Sequence, residues 1–431
     1  MAFFICSHCG YGSGAWMGKC PDCSEWNTFK QRNEFGDNSS DKVKEDILEL
    51  KATQLSKVTS TKLERFSTGI FEFDRVLGGG LTPGAQILMS GEPGVGKSTL
   101  LLQALQHIRT LYISGEEIAE QVKERAIRME VSLEKFLFSD TVQLEGILRG
   151  INDLRNEIDL VVVDSLQTIY SKEVESPPGN ITQMREVISK IVIAGKKLKL
   201  PIIIIGHVTK DGEIAGPKMI EHMVDTVLNF EGERISQFRI LRASKNRFGS
   251  TDEIGIFEMS GAGLKEVNNP LAFLEDQTEN TPGKAVVGVM EGKRPLFFEM
   301  QALAVPTFMA MPRRVVKGVD YNKVLLLLAV MKKHLHIELD KYDVYINVIG
   351  GVDVKSPAVD LGIVASLLSS IQNTAINTKT LFIGEVGLLG EIRKFVGQDR
   401  ILSEAKRIGF NTIISSTTMK NIKEIKSIIK I

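Results

Sequence analysis

The sequence predicts an α/β protein. Its core carries a mainly parallel sheet, a small four-cysteine module precedes it, and an α+β region follows. Three observations predict this. Strand-length apolar runs alternate with helical periodicities from about residue 84 to 230, the order that builds a parallel sheet covered on both faces. A glycine-rich loop separates one such run from the helix after it. All four cysteines fall within the first 23 residues, away from the rest.

The bulk numbers set limits. At 431 residues the chain has room for roughly three domains. The 53 basic side chains equal the 53 acidic ones, so any nucleic-acid site is a local patch or channel, not a global basic field. No apolar run approaches the roughly 20 residues that span a bilayer, and the longest, 324–331, reads as a buried helix. The apolar start at residues 1–5 has no basic region before it and a cysteine pair straight after, so it is not expected to act as a signal peptide. The expected location is the cytoplasm, without a membrane.

Taking the elements in order, Cys6-x₂-Cys9 and Cys20-x₂-Cys23 are separated by ten residues. Each pair forms a tight knuckle, and together they offer four thiolates to one ion. A shell closed by four thiolates means structural Zn²⁺. Two disulfides are the alternative, and a reducing cytosol disfavours them. His8 sits inside the first knuckle but finds the shell already full. So small a module folds only with metal bound. Trp16 and Trp26 flank the second knuckle and either pack over the site or touch a partner. Residues 31–60 are polar and mixed in charge, a linker with helical tendency over 42–55.

Periodic apolar residues over 66–81 predict a short helix ended by Gly78, Gly79 and Gly80. A buried strand over 86–90 then leads into Gly91-Glu92-Pro93-Gly94-Val95-Gly96-Lys97-Ser98-Thr99, which fits G-x-x-x-x-G-K-[ST]. Its glycines let successive N–H groups converge on an anion. A helix starting near Lys97 adds its positive end. Lys97 is placed to reach the β- and γ-phosphates of ATP, and Ser98 to ligate Mg²⁺. A second strand over 110–115 is followed by Glu116 and Glu117. A carboxylate there is where a water-activating base belongs, or these acids simply begin the next helix. A third strand ends in Asp164, of the type that holds Mg²⁺ through its water shell. A fourth covers 201–206. The loop over 211–223, with Lys218 and His222, reads as an ordinary surface loop or a DNA-contact loop.

From residue 238 a strand runs into Lys245-Asn246-Arg247-Phe248-Gly249. Its two cations are placed to reach a neighbouring subunit's γ-phosphate, or they form a solvated basic turn. The last third predicts strands at 285–290, 296–303, 345–348 and 380–383, and helices at 321–333, 358–370 and 399–408. No cluster there announces chemistry.

Together these motifs resemble the bacterial RadA family, also called Sms, DNA repair proteins with RecA-like and Lon-like parts. The resemblance covers nearly the whole chain. It rests on Cys6-Ser7-His8-Cys9 with Cys20-Pro21-Asp22-Cys23, the phosphate loop, Leu111-Tyr112-Ile113-Ser114-Gly115-Glu116-Glu117, Val163-Asp164-Ser165, and the Lys245–Gly249 signature. Residues 343–351 and Gly384-Glu385-Val386-Gly387 are similar to the Lon protease fold. The implied organisation is a zinc finger over 1–30, a linker over 31–60, a RecA-like ATPase domain over 61–270 and a Lon-protease-like domain over 271–431. The implied activity is that of a hexameric, ATP-driven ring that moves on single-stranded DNA and drives branch migration of recombination intermediates. A RecA-type recombinase or a replicative helicase fits as partner. By the same resemblance Glu116 matches the water-activating carboxylate, and Lys245 and Arg247 match the cations that cross the subunit interface.

The Lon-like part departs from a working protease. The nucleophilic serine of the Ser–Lys dyad follows a proline and precedes an alanine; here Ala358 takes that place and Ser356 lies before Pro357. The dyad lysine aligns with Asp399. A hydroxyl without a neighbouring base does not cleave amides, so no proteolysis is expected. Arg313, Arg314 and Lys317 are either DNA contacts or a solvated charge cluster.

Overall fold

A computed structural model describes residues 3–32, 53–57, 64–207, 219–232, 237–269, 271–274, 281–350 and 352–429. The linker expected over 31–60, with its helical tendency over 42–55, lies mostly outside the described residues, as do Lys218 and most of the 211–223 loop. The chain forms two compact units, Met1–Leu63 and Glu64–Ile431.

In the first unit β1 (Phe3–Cys6) pairs antiparallel with β2 (Gly12–Ser13) and β3 (Phe29–Arg32). Its buried apolar content is small, with Phe29 packed beside Cys6 and Cys20. A core of that size does not hold a fold unaided.

The second unit is built on a nine-stranded sheet. Its strands are β4 (Gln86–Gly91), β5 (Thr110–Ser114), β6 (Phe136–Ser139), β7 (Leu160–Asp164), β8 (Ile202–His207), β9 (Thr226–Glu231), β10 (Phe238–Asn246), β11 (Ile254–Ser260) and β12 (Gly263–Glu266). Their order is β12-β11-β10-β9-β4-β8-β7-β5-β6. From β9 to β6 all pairings are parallel. From β9 to β12 all are antiparallel. Side chains alternate between faces along each strand. Ile87, Met89, Tyr112 and Val162 therefore face α1 (Phe71–Leu77), α2 (Lys97–Leu105) and α3 (Ala119–Arg128). Leu88, Ile113, Val161 and Val163 face α4 (Leu144–Asp153) and α5 (Ile181–Leu198). Burial on both faces is why these strands read as unbroken apolar runs. α1 ends as expected at Gly78, whose φ of 87° closes the helix in the left-handed region. A short α6 (Met219–Met223) leads into β9.

The C-terminal region adds β13 (Lys284–Glu291), β14 (Arg294–Pro306), β15 (Arg314–Lys317), β16 (Tyr342–Val348), β17 (Thr380–Phe382), the β18 (Glu385–Val386) and β19 (Ile392–Arg393) pair, and β20 (Thr412–Ile414). Six of these form a mixed sheet in the order β15-β16-β14-β13-β17-β20. Helices α7 (Tyr321–Leu335) and α8 (Asp360–Gln372) pack on one face, and α9 (Gln398–Arg407) on the other. The helix expected from 358 starts two residues later. Pro357–Val359 is a 3-10 turn, with Ser356 Oγ accepting from the Ala358 amide at 3.3 Å.

One apolar core runs through both sheets of this unit. Ile240, Ile254 and Ile256 share it with Phe298, Met300 and Val344. The Phe273 ring packs on Phe238 and Phe298 at centroid distances of 4.4 and 4.7 Å. The fully buried Glu72 of α1 pairs with Arg294 of β14 at 2.9 Å.

Candidate nucleotide site and metal centre

The phosphate loop leaves the carboxyl end of β4 and enters α2 at Lys97, with Gly96 at the N-cap. Two glycines meet a steric demand. A Cβ on Gly96 (φ 109°) would stand 2.6 Å from Met259 Cε, and one on Gly91 would stand 2.4 Å from the Phe230 carbonyl oxygen. Both obstacles come from the antiparallel side of the sheet. So does Arg239, whose Nε donates to the Val95 carbonyl at 3.2 Å and props the loop from below. Val95 itself is buried, while Glu92, Pro93 and Gly94 face out.

Lys97 is buried, and its Nζ donates to the carbonyls of Gly91 at 2.8 Å and Glu92 at 3.0 Å. Burial pulls its ammonium down to about 8, against the opposing pull of Asp164 and Glu116. Ser98 Oγ donates to Asp164 Oδ2 at 2.7 Å. The loop hydroxyl and the strand-end carboxylate therefore share one spot, which suits a hard divalent cation with oxygen ligands. Thr99 follows in the first turn of α2. Glu116 lies two residues past β5, exposed, and accepts from Ser165 Oγ. Neither glutamate belongs to the next helix, which starts at Ala119. Glu117 instead pairs with Arg125.

Tyr112 was missed by the sequence reading. Its hydroxyl donates to Asp164 Oδ2 at 2.6 Å. Burial first, and then the Asp164 charge, keep the phenol protonated well above its ordinary range. Nothing in an apolar strand distinguishes such a tyrosine from a core residue.

The Lys245–Gly249 motif lies at the opposite end of the strands from the phosphate loop, at the end of β10. Asn246 pairs with Thr226 and Lys245 with Val227, and Thr226 is level with Ile87 near the start of β4. The phosphate loop leaves that strand at Gly91, five residues after Gln86. At roughly 3.3 Å per residue, the motif and the loop of one subunit are on the order of 15 Å apart. Asn246 Nδ2 ties the motif to α1 through the Val76 carbonyl at 3.1 Å. Lys245 Nζ donates to three carbonyls, of Glu221, His222 and Val224, at 2.9, 3.2 and 2.7 Å. Desolvation and the neighbouring Arg247 charge lower its pKa. The Arg247 guanidinium is half-exposed and pairs with Asp225 at 3.1 Å.

In the first unit the four cysteine sulfurs lie within 4.8 Å of one another. Cys6 and Cys23 stand 3.7 Å apart, and Cys9 and Cys20 3.5 Å. A tetrahedral Zn²⁺ with bonds of about 2.3 Å sets its sulfurs roughly 3.8 Å apart, so the four thiolates fit the ion. The knuckles match each other, with Gly10 N bonded to Cys6 O and Ser24 N to Cys20 O, both at 2.9 Å. His8 is exposed and outside the cluster. Trp16 and Trp26 flank Gly18, and Trp26 remains 67% exposed.

Of the three cations at the C-terminal sheet edge, Arg314 turns inward and donates to the Arg313 and Leu339 carbonyls, both at 2.9 Å. Arg313 and Lys317 are exposed. Asp399 is a surface residue paired with Lys394 at 2.8 Å, and Ala358 is buried. No described helix is long and apolar enough to cross a membrane.

Three family models match parts of the chain. Residues 4–31 match the rubredoxin metal binding domain, 66–152 match KaiC, and 308–418 match subunit ChlI of Mg-chelatase. Whole-length relatives are similar throughout. The DNA repair protein RadA of Listeria monocytogenes is 44% identical over 416 residues, covering 95% of this chain and 91% of the relative. That of Bacillus subtilis is 44% identical over 420 residues, with the same two coverages. That of Rickettsia bellii is 43% identical over 421 residues, covering 96% and 93%. A zinc ribbon, a RecA-like ATPase fold with a mostly parallel sheet, and an added C-terminal sheet domain thus stand together in a chain that, at this identity over nearly its full length, belongs to the family of the DNA repair protein RadA.

Proposed function

We propose that the protein is a DNA-dependent ATPase and helicase of recombination. It binds single-stranded DNA and promotes branch migration of strand-exchange products, as a ring of identical subunits with one ATP at each interface; six subunits is the number the family resemblance suggests. The observation that carries this reading is the separation within one subunit. The phosphate loop leaves the carboxyl end of β4, while the Lys245–Gly249 motif at the end of β10 is level with the start of β4; that separation supports cations that serve a neighbouring subunit's nucleotide.

In this reading Gly91, Glu92, Pro93, Gly94, Val95, Gly96, Lys97, Ser98 and Thr99 cradle the phosphates of one ATP. Ser98 and Asp164 hold Mg²⁺, which neutralises phosphate charge when bound. Glu116 orients and deprotonates the attacking water, with Ser165 Oγ fixing its carboxylate. Arg247, with Lys245 beside it, brings positive charge from the next subunit to the γ-phosphate. Phosphoryl transfer is catalysed mainly by such positioning and neutralisation. DNA runs in a channel that grips the phosphate backbone and stacks bases.

The four cysteines hold one structural Zn²⁺, and the finger meets a RecA-type recombinase or a replicative helicase. The C-terminal domain is a Lon-like scaffold without proteolysis. Ser356 Oγ serves as a helix cap, and Asp399 offers a carboxylate where a dyad lysine would stand. The site of action is the cytoplasm.

The test is ATP hydrolysis by the zinc-loaded protein with and without single-stranded DNA, with Lys97→Ala as control. Stimulation by DNA that vanishes in the variant is expected. A folded, assembled protein whose turnover ignores DNA would replace the motor with a nucleotide switch that organises repair partners.

A further inference from the structure

Resting on the reading that Arg247 serves a neighbouring subunit's nucleotide, the geometry points to Asp225 as the positioning residue for that cation. Asp225 is buried between α6 and β9. Its Oδ1 accepts from Arg247 Nη1 at 3.1 Å and from Lys196 Nζ at 3.2 Å. Its carbonyl accepts from the Arg247 amide at 3.1 Å. One residue therefore fixes both the backbone and the guanidinium of Arg247. A guanidinium has five N–H donors in a rigid fork. Pinning one edge of the fork on a buried carboxylate sets the direction of the others.

Asp225 is itself anchored to β4. Its amide donates to the Gln86 carbonyl at 2.9 Å, and its Oδ2 accepts from the Gln86 amide at 3.2 Å. Gln86 begins the strand that ends in the phosphate loop. The carboxylate thus ties the cation offered to a neighbour to the same rigid strand that carries the subunit's own phosphate site. Lys245 secures the arrangement from the motif side. Its ammonium has three donors, and they meet three carbonyls of the turn that leads into Asp225. An exposed ion pair alone would contribute little. Here the acceptor is buried, with Oδ2 on the Gln86 amide and Oδ1 on Arg247 and Lys196, so it acts as a fixed mount.

Asp225→Asn keeps the shape and removes the charge. In the assembled, zinc-loaded protein with single-stranded DNA, we expect kcat for ATP to fall about tenfold and KM to stay within about twofold, the pattern of a misaimed catalytic group. The decisive readout is a mixed assembly with Lys97→Ala chains. An Asp225→Asn chain keeps its own phosphate loop, and a Lys97→Ala chain keeps its own Arg247 and mount, so some mixed interfaces are complete and activity returns. Wild-type turnover by Asp225→Asn alone overturns the inference. So does a slow variant that mixing fails to rescue while Arg247→Ala is rescued, because Asp225 then acts on its own subunit's site. If mixing also fails to rescue Arg247→Ala, the trans reading itself falls and takes the mount with it. Should Asp225→Asn not assemble, Asp225→Glu, which displaces the charge by one methylene, is read in the same way.

Discussion

Tyr112 and Ser98 donate to the same carboxylate oxygen, Asp164 Oδ2, at 2.6 and 2.7 Å. The tyrosine reaches it from within the sheet and the serine from the phosphate loop. Tyr112→Phe removes a hydrogen bond to a charged group and leaves no unpaired polar atom in its place. The expected loss is about 1.5–3 kcal/mol in the nucleotide-free protein, measured by urea unfolding. An unchanged midpoint would mean that the hydroxyl contributes nothing to the site's stability.

Lys97 loses its proton near pH 8, because burial outweighs the attraction of Asp164 and Glu116. ATP brings further negative charge, which pushes the ammonium back toward its ordinary value. Binding should therefore take up protons near pH 8, and affinity should weaken as pH rises through that value. Calorimetry in two buffers of different ionisation enthalpy reads the uptake. Lys97→Arg, charged at every accessible pH, should show none from this position.

Arg294 is the main partner of Glu72, whose Oε2 also accepts from the Ile256 amide at 2.9 Å. Arg75 approaches the other oxygen at 3.4 Å. Arg294→Met leaves a buried carboxylate short of charge compensation. The expected cost is about 3 kcal/mol, and Glu72→Gln in the same chain should recover part of it. Denaturant unfolding of the single and double variants gives the coupling.

Asp360 begins α8 fully buried. Burial raises its pKa to about 6, although Lys323 at 2.8 Å and the Val386 amide at 3.1 Å favour the charged form. The folded state thus binds its proton more tightly than the unfolded chain. The sign follows: Asp360 costs stability above pH 6, and the cost is relieved as pH falls toward the ordinary aspartate range. Unfolding free energy against pH in wild type and Asp360→Asn should differ in slope between about pH 4 and 6. Parallel curves would refute the assignment.

Local spacing made the phosphate loop and the cysteine knuckles legible, since their chemistry depends on residues close in sequence. Strands β4, β5, β7 and β8 were legible because burial on both faces leaves no polar residue to interrupt them. The antiparallel side was harder to read. Only β10 was foreseen there, and the part this side plays in holding the loop rests on Arg239 of β10, Phe230 of β9 and Met259 of β11, which meet Val95, Gly91 and Gly96 through tertiary contact alone. Asp225 was invisible for the same reason. In sequence it is one acid after an apolar turn, and only folding brings Gln86, Lys196 and Arg247 to it.

The core that crosses from β10 and β11 into β14 and β16 bears on how such a chain can be assembled by gene fusion. A junction between Leu63 and Glu64 falls between compact units, so the metal module is portable. A junction at residue 270 cuts through packed side chains and lays bare Ile240, Ile254 and Ile256. The ATPase sheet and the C-terminal sheet would therefore have to be moved as one piece in such a fusion. Whatever else the C-terminal region does, its β14 and β16 side chains wall the apolar side of β10 and β11, and a chain cut there would lack that wall.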